Sequence, residues 1–304
     1  MTPGPGEDRL QARVVAVYGE LTELSPHGSA ERVPAFQGRS AGTAVVGDAV
    51  EAEAVPGADP EAAWRITAIA PRERCLWRSS RRRKAQLVAA RIDRLAVVSA
   101  VEPPPREGLV DRYILAAEAQ GIEPVLILNK TDLEGSEEAR ERLRLYEDLG
   151  YPVHAVSAKE GQGMEEAADV LARGWILLVG HSGVGKSTLL NRLLPGTDLE
   201  TSRLARTGKG RHTTTTATAH RFREGYLVDT PGIREFGLVD VGPGEVGVGF
   251  REIRELAAEC RFNDCAHRTE PGCAVREAVE KGEIDGGRYA SYLRIRESLE
   301  AGER

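Results

Sequence analysis

A glycine-rich segment between an apolar run and a helical run constrains the fold of this chain more than any other feature. Residues 180–187 read Gly-His-Ser-Gly-Val-Gly-Lys-Ser and match the pattern G-x-x-x-x-G-K-[ST]. The apolar run 175–179 precedes this segment, and residues 187–194 follow it with the composition of a helix. Glycines in such a strand–loop–helix unit let backbone N–H groups converge on phosphate oxygens at a helix N-terminus. The sequence therefore predicts a parallel α/β domain with a phosphate-binding loop.

The side chains of this loop predict a nucleoside triphosphate with Mg²⁺ as its ligand. Lys186 can reach the β- and γ-phosphates, which makes it a candidate catalytic residue. Ser187 can offer its hydroxyl to Mg²⁺. The predicted nucleotide-binding residues of the loop are Gly180, His181, Ser182, Gly183, Val184, Gly185, Lys186, Ser187 and Thr188.

Two short segments predict which base the nucleotide carries. Asn129-Lys-Thr-Asp132 follows the apolar run 124–128, and Ser157-Ala-Lys159 follows the run 153–156. Sheets of parallel strands place their ligand-binding loops at the carboxyl ends of the strands. The Asp132 carboxylate can accept hydrogen bonds from N1–H and the 2-amino group of guanine, a donor pair that adenine lacks. We therefore expect GTP, with its base bound by Asn129, Lys130, Asp132, Ser157, Ala158 and Lys159.

Two further segments predict the groups around the γ-phosphate. Asp229-Thr-Pro-Gly232 ends another short apolar run, and an Asp in this position holds Mg²⁺ through water. We expect the Gly232 N–H to contact the γ-phosphate and to take part in catalysis. The threonine run 213–216 can complete the metal shell, although such a run is also typical of a β-strand. The predicted Mg²⁺ ligands are Ser187, Thr213, Thr214 and Asp229.

These segments are those of a regulatory GTPase in a rotated order. The base-binding segments precede the phosphate-binding loop, and the two segments near the γ-phosphate follow it. The sheet can still form, because the adjacency of strands in space does not depend on where the chain is cut. Apolar strands alternate with helical stretches from about residue 92, so we assign 92–245 to a circularly permuted P-loop GTPase domain.

The N-terminal region has the pattern of a small β-barrel. Residues 1–72 contain about five short strands separated by turns, among them 12–18, 43–51 and 64–70, and predict an OB-like barrel. Residues 1–70 hold five arginines against ten acids, which argues against a general RNA-binding face.

Basic side chains are concentrated outside that barrel. Residues 71–84 contain seven basic side chains and one acid, and we assign 73–91 to a basic linker. A second basic stretch, 203–212, contains no acid. If nucleic acid binds, these stretches are the predicted phosphate contacts, and the alternative is that both are solvated segments.

Three cysteines and a histidine fall close together near the C-terminus. The pattern Cys260-x4-Cys265-x-His267-x5-Cys273 provides the ligand set of a closed tetrahedral Zn²⁺ site. Three reduced structural thiols are the alternative, because a disulfide is disfavoured in a reducing compartment. We expect one structural metal that joins short helices, and we assign 246–304 to a helical zinc-binding domain.

Together these features resemble the RsgA family, also called YjeQ or YloQ, of bacterial small-ribosomal-subunit biogenesis GTPases. The resemblance covers nearly the whole chain and includes the segments 210–214, 260–267 and 270–275. It implies zinc at the cysteine cluster and a GTPase that binds the 30S subunit, with its 16S rRNA, late in maturation. It also implies that the ribosome stimulates hydrolysis of GTP to GDP. The acidic barrel departs from the charge balance expected of a domain that contacts rRNA.

The group that orients the attacking water is missing from its usual place. Many GTPases carry a Gln directly after the glycine of the D-x-x-G segment, but Ile233 stands here and cannot hydrogen-bond to water. We expect slow intrinsic hydrolysis, with either His212 or the ribosome supplying this group. His212 is equally consistent with an ordinary surface loop residue.

Two other functions stay open on the sequence alone. One is a passive RNA-binding scaffold with a vestigial nucleotide site, which the intact Lys186, Asp132 and Asp229 argue against. The other is a GTPase with a different client, such as tRNA or a membrane complex.

No apolar run approaches the roughly 20 residues of a membrane span, and the cysteines do not form a disulfide framework. We expect a monomeric cytoplasmic protein without a membrane partner.

Overall fold

Strands dominate the N-terminal part of the chain and helices its C-terminal end. The computed structural model describes residues 9–29, 31–38, 41–56, 64–78, 85–196, 217–230, 237–239 and 241–302. The strands are β1 (Arg9–Tyr18), β2 (Leu21–Pro26), β3 (Val33–Gln37), β4 (Ala49–Ala54), β5 (Trp64–Ile69), β6 (Leu76–Arg78), β7 (Gln86–Ala89), β8 (Arg94–Ala100), β9 (Glu123–Asn129), β10 (Val153–Ala155), β11 (Arg173–Val179), β12 (Thr218–Phe222) and β13 (Glu224–Asp229). The helices are α1 (Glu107–Glu118), α2 (Ser136–Asp148), α3 (Met164–Val170), α4 (Lys186–Leu193), a 3-10 helix (Pro243–Gly249), α5 (Arg251–Ala257), α6 (Ala274–Lys281) and α7 (Gly286–Glu300).

The central sheet has the strand order β10-β9-β8-β11-β13-β12. Its first five strands in this order are parallel, whereas β12 is antiparallel to β13. The parallel strands bury near-continuous apolar runs, such as 95–100 in β8 and 175–179 in β11. The carboxyl ends of these strands meet at one edge of the sheet, and the predicted nucleotide-binding segments follow them there. The predicted α/β domain with permuted motif order is confirmed.

The predicted N-terminal barrel is also confirmed. Its strand order is β1-β2-β3-β5-β4, and β4 returns to pair with β1. Apolar side chains fill the interior, among them Val14, Leu24, Trp64 and Ile66. The predicted strand 43–51 is only partly a strand, because β4 begins at Ala49. The Asp48 carboxylate accepts a hydrogen bond from the Val45 N–H (2.8 Å) and closes a turn before that strand.

The predicted basic linker contains a β-hairpin, formed by β6 and β7. The hairpin forms because its ends carry side chains that can be buried, Leu76 opposite Ala89. The Ala90 N–H donates to the Val46 carbonyl (3.0 Å) and so attaches the hairpin to the barrel. Residues 79–84, which carry four of the basic side chains, lie outside the described residues.

The barrel is continuous with the central sheet. Ala16 of β1 pairs with Thr218 of β12, which joins both sets of strands into one 11-stranded sheet. Near the start of β11, the Arg13 guanidinium lies 3.8 Å from the centroid of the Trp175 ring. Such a cation–π contact adds to the backbone pairing. The barrel therefore has a defined position relative to the strand that leads into the phosphate-binding loop.

The C-terminal helices attach to α1 and α2 through a buried arginine. Arg288 of α7 donates to Asp111 of α1 (2.6 Å) and to Glu252 of α5 (2.8 Å), and its guanidinium lies 4.2 Å from the Phe250 ring centroid. The Tyr146 hydroxyl of α2 donates to the same Asp111 (2.6 Å). The C-terminal unit is thus ion-paired to the flank of the sheet rather than joined only by the chain. Among the described residues, no helix has both the length and the apolar character that crossing a membrane requires.

Candidate nucleotide-binding site and metal centre

The Asn129 side chain connects the base-binding segments to the phosphate-binding loop. It is buried at the end of β9, and its Nδ2 donates to the Val184 carbonyl (3.0 Å). Its Oδ1 accepts from the backbone N–H groups of Lys130 (2.8 Å) and Ala158 (3.1 Å). The Lys130 ammonium in turn donates to the Glu102 carbonyl in the loop after β8 (2.6 Å). Segments that are distant in sequence therefore meet around one amide side chain.

Asp132, the predicted guanine-selecting residue, is exposed and lies beside Ser157. The Ser157 hydroxyl donates to Asp132 Oδ1 (2.5 Å) and accepts from the Glu160 N–H (3.1 Å). The hydrogen bond from Ser157 lowers the pKa of the Asp132 carboxyl, so that the side chain stays ionised and can accept hydrogen bonds. Ser157 thus orients the carboxylate. Lys159, the last predicted base contact, is exposed with its ammonium 3.2 Å from Glu160.

Two glycines of the phosphate-binding loop allow close backbone approach. Gly185 has a φ of 89°, and a Cβ at this position would lie 2.4 Å from the Asn129 Nδ2 atom. A Cβ on Gly180 would lie 2.1 Å from the Val98 carbonyl oxygen. Both distances are far below contact, so a side chain would displace the loop from the strands that support it. This explains why the pattern requires glycine at its first and sixth positions.

Lys186 is the first residue of α4 and lies within the loop. Its Nζ donates to the carbonyls of Gly180 (2.7 Å) and His181 (3.1 Å). Burial lowers the pKa of Lys186, and the charge of Asp229 at the end of the adjacent strand β13 opposes that shift. Ser187 follows with an exposed side chain. A hydroxyl and a carboxylate are hard oxygen ligands, and this donor set fits Mg²⁺ bound together with a triphosphate.

Several predicted site residues lie outside the described part of the chain. They are the two catalytic candidates His212 and Gly232 and the two Mg²⁺ candidates Thr213 and Thr214. Ile233 and the basic stretch 203–212 also lie there.

The predicted zinc ligands Cys260, Cys265, His267 and Cys273 lie together between α5 and α6, and their ligand atoms are all within 4.8 Å of one another. The Cys260 Sγ is 3.9 Å from the Cys273 Sγ and 3.5 Å from the His267 Nδ1. Tetrahedral coordination at zinc bond lengths separates two sulfurs by about 3.8 Å, and a sulfur and a nitrogen by about 3.6 Å. The donor set and its spacing therefore fit one Zn²⁺.

Glu270 shapes the loop that carries two of these ligands. Its carboxylate accepts hydrogen bonds from the backbone N–H groups of Ala266 (2.9 Å), Arg268 (2.8 Å) and Thr269 (3.0 Å). Its own N–H and these groups lower the pKa of the Glu270 carboxyl to about 2. The bonds hold the turn in which His267 takes a positive φ of 60°. The sequence analysis predicted the ligands but missed this supporting role.

Loss of one ligand should empty the metal centre. We expect the wild-type chain to contain stoichiometric zinc and Cys273→Ser to contain almost none, because a tetrahedral structural site needs all four ligands. Amide hydrogens in 260–273 should exchange at least tenfold faster in the variant. Metal analysis and hydrogen exchange would measure these effects. Cys75→Ser is the matched control, since Cys75 is a free, buried cysteine outside the cluster. Equal zinc in Cys273→Ser and wild type would contradict the site.

The fold and the site geometry define a P-loop GTPase whose base-recognition segments precede its phosphate-binding loop. Comparison with known proteins agrees with this class. The profile of the RsgA GTPase family matches residues 69–239. The chain belongs to the RsgA GTPase family.

Curated relatives and solved structures extend the similarity over most of the chain. A Haemophilus influenzae protein named small ribosomal subunit biogenesis GTPase RsgA is 43% identical over 239 residues, which are 77% of this chain and 69% of that protein. A protein of the same name from Chromohalobacter salexigens is 42% identical over 97% of this chain and 87% of its own. The crystal structure of YjeQ from Thermotoga maritima matches with a TM-score of 0.74 and 31% identity, covering 96% of this chain and 98% of that one. YloQ, described as a circularly permuted GTPase, shares the fold with a TM-score of 0.73 at 23% identity over 97% of this chain and 96% of its own.

Proposed function

We propose that this chain is a GTP-hydrolysing switch that binds the 30S ribosomal subunit, assists its late maturation and hydrolyses GTP faster when bound to it. The observation that carries the proposal is the Asn129 side chain, which joins the guanine-selecting segment to the phosphate-binding loop in one site. Membership of the RsgA GTPase family and relatives named small ribosomal subunit biogenesis GTPase support the ribosomal client.

The proposed chemistry is electrostatic stabilisation of phosphoryl transfer to water. Mg²⁺ bound with GTP would neutralise charge on the β- and γ-phosphate oxygens, held by Ser187, Asp229 and a threonine, Thr213 or Thr214. The Lys186 ammonium, held among loop carbonyls, would be placed at the same oxygens. The Gly232 N–H would contact the γ-phosphate.

The proposed partners are inferred from the charge of the proposed units of the chain. We divide it into the barrel (1–72), the basic linker (73–91), the GTPase domain (92–245) and the zinc-binding domain (246–304). The linker would contact phosphates of 16S rRNA, because it is the most basic part of a chain whose net charge is −6. The protein would act as a cytoplasmic monomer that alternates between GTP-bound and GDP-bound states.

Phosphate release with and without 30S particles tests the proposed function. We expect slow intrinsic turnover, because Ile233 cannot orient water, and stimulation of at least tenfold by 30S subunits. Co-sedimentation should show 30S binding with a non-hydrolysable GTP analogue and weaker binding with GDP. The 50S subunit and tRNA serve as controls for a different client. Absence of turnover with any particle would support a passive scaffold and contradict the proposal.

His212→Ala in the same assay locates the water-orienting group. If His212 supplies it, 30S-stimulated turnover should fall about 100-fold while affinity for GTP stays within twofold of wild type. His27→Ala is a control, since His27 is an exposed histidine of the barrel. Unchanged stimulated turnover in His212→Ala would assign the group to the ribosome.

A further inference from the structure

The metal-binding part of the proposed GTP site includes two strands of the central sheet that lie next to the barrel. β12 and β13 form a hairpin in which Thr218 lies directly opposite Asp229. Asp229 is the predicted carboxylate for Mg²⁺, and it is buried. The position of β12 therefore affects the backbone from which this carboxylate projects.

The barrel contacts β12 at the same place. Ala16 of β1 pairs with Thr218, and the Arg32 Nη2 donates to the carbonyl of Ala219 (2.7 Å). The other end of the guanidinium, Nη1, donates to Glu23 Oε2 on β2 (2.8 Å). Arg32 is thus fixed by the barrel on one side and hydrogen-bonded to β12 on the other. A charged donor to a backbone carbonyl is among the stronger hydrogen bonds of a folded chain.

The chain that leaves the Asp229 segment is held by the same N-terminal part of the protein. The Gly237 N–H donates to the Trp77 carbonyl (2.9 Å), and Trp77 belongs to the β6–β7 hairpin attached to the barrel. Contacts from residues 9–89, which we call the N-terminal module, therefore flank the Asp229 hairpin on both sides in sequence. The guanine side of the site is instead organised within the GTPase domain, by Asn129 and Lys130.

We propose that Arg32 is a positioning residue for Mg²⁺ in the GTP site, acting through β12 on Asp229, so that the barrel completes the metal-binding half of the site. This inference rests on the proposed function, because it assumes that GTP binds with Mg²⁺ at Asp229. It assigns the barrel a role inside the nucleotide site in addition to any role in contacting a partner.

Magnesium titration of bound nucleotide tests the role of Arg32. In Arg32→Ala, the Mg²⁺ concentration that gives half-maximal tight binding of a fluorescent non-hydrolysable GTP analogue should rise about tenfold. Affinity for GDP without Mg²⁺ should stay within twofold, because the base and phosphate-loop contacts are untouched. Arg32→Lys should give a smaller shift, since an ammonium can keep either the Glu23 pair or the carbonyl bond but lacks the two-ended guanidinium.

The matched control is Arg9→Ala in the same barrel. Arg9 forms an exposed ion pair with Glu53 (3.5 Å), and its loss should leave the Mg²⁺ titration unchanged. An Mg²⁺ curve of Arg32→Ala that matches wild type would overturn the proposal, as would an equal loss of Mg²⁺-free GDP affinity. This measurement needs neither hydrolysis nor ribosomes. A negative result is therefore distinguishable from failure of the proposed function, because that failure would appear as absence of GTP turnover in the wild-type protein.

Discussion

Asp132→Asn should lower affinity for GTP at least 100-fold and create measurable affinity for xanthosine triphosphate. The carboxylate that accepts from N1–H and the 2-amino group of guanine would become an amide with a donor facing that amino group. The bond from the 2-amino group is lost and replaced by two facing donors, and the bond from N1–H is weakened to a neutral one; a charge-assisted hydrogen bond contributes about 1.5–3 kcal/mol. Xanthine carries a carbonyl in place of the amino group and can accept from the new amide. Competition binding with a fluorescent GDP analogue would measure both nucleotides.

Two further variants complete this experiment. Ser157→Ala should weaken GTP binding by a smaller factor, about fivefold, because it removes the hydroxyl that orients Asp132 without removing the carboxylate. Asp148→Asn, an exposed aspartate at the end of α2, should have no effect. Retention of wild-type GTP affinity by Asp132→Asn would refute the assignment of the base site.

Arg288→Ala should destabilise the protein by about 3–5 kcal/mol, because it leaves the Asp111 carboxylate buried without its positive partner. Both side chains are only 1% exposed. Burial already raises the pKa of Asp111 despite the adjacent guanidinium, and the variant would force the carboxyl to take up a proton. Urea unfolding followed by circular dichroism would measure the loss. Limited proteolysis should cut between the GTPase sheet and α7 first.

A control variant and a double variant distinguish the buried ion pair from exposed ion pairs. Arg144→Ala removes an exposed pair with Glu141 and should change stability by less than about 0.5 kcal/mol. The double variant Asp111→Leu with Arg288→Met should recover only part of the loss, because apolar side chains can replace the buried ion pair but Glu252 and the Tyr146 hydroxyl lose their partners in that pair. A single variant Arg288→Ala with wild-type stability would contradict this reading of the network.

Sequence patterns point to the candidate site more clearly than to the residues that support it. The phosphate-binding loop and the Asn129 and Ser157 segments are local patterns that follow apolar strands, so their place in the fold follows from the rules of parallel sheets. The predicted zinc ligands are equally visible, because four side chains of this kind within one short segment have few other uses. In the nucleotide-binding segments, the hydrogen bonds from Asn129 to Val184 and from Ser157 to Asp132 agree with the predicted proximity of these segments.

The supporting residues gave no comparable signal. Arg32 and Arg288 are single charged side chains whose importance comes from partners far away in sequence, Ala219 and Asp111. The β6–β7 hairpin lies in a run of basic residues, and of the residues described in its two strands only Leu76 and Ala89 are buried. β12 is short and rich in polar residues, so its alternation is weak. Tertiary contacts, which local propensity does not encode, decide these features.

Because the barrel is joined to the central sheet, the position at which the chain is cut affects the behaviour of the resulting fragment. Backbone N–H and C=O groups on the outer side of a sheet promote self-association when nothing covers them. In this chain the barrel covers the start of β12 on that side, through the Ala16–Thr218 pair and the hydrogen bond from Arg32 to the Ala219 carbonyl. A fragment that begins after the barrel would expose that side and would tend to aggregate. The GTPase domain is therefore best expressed together with the residues that precede it.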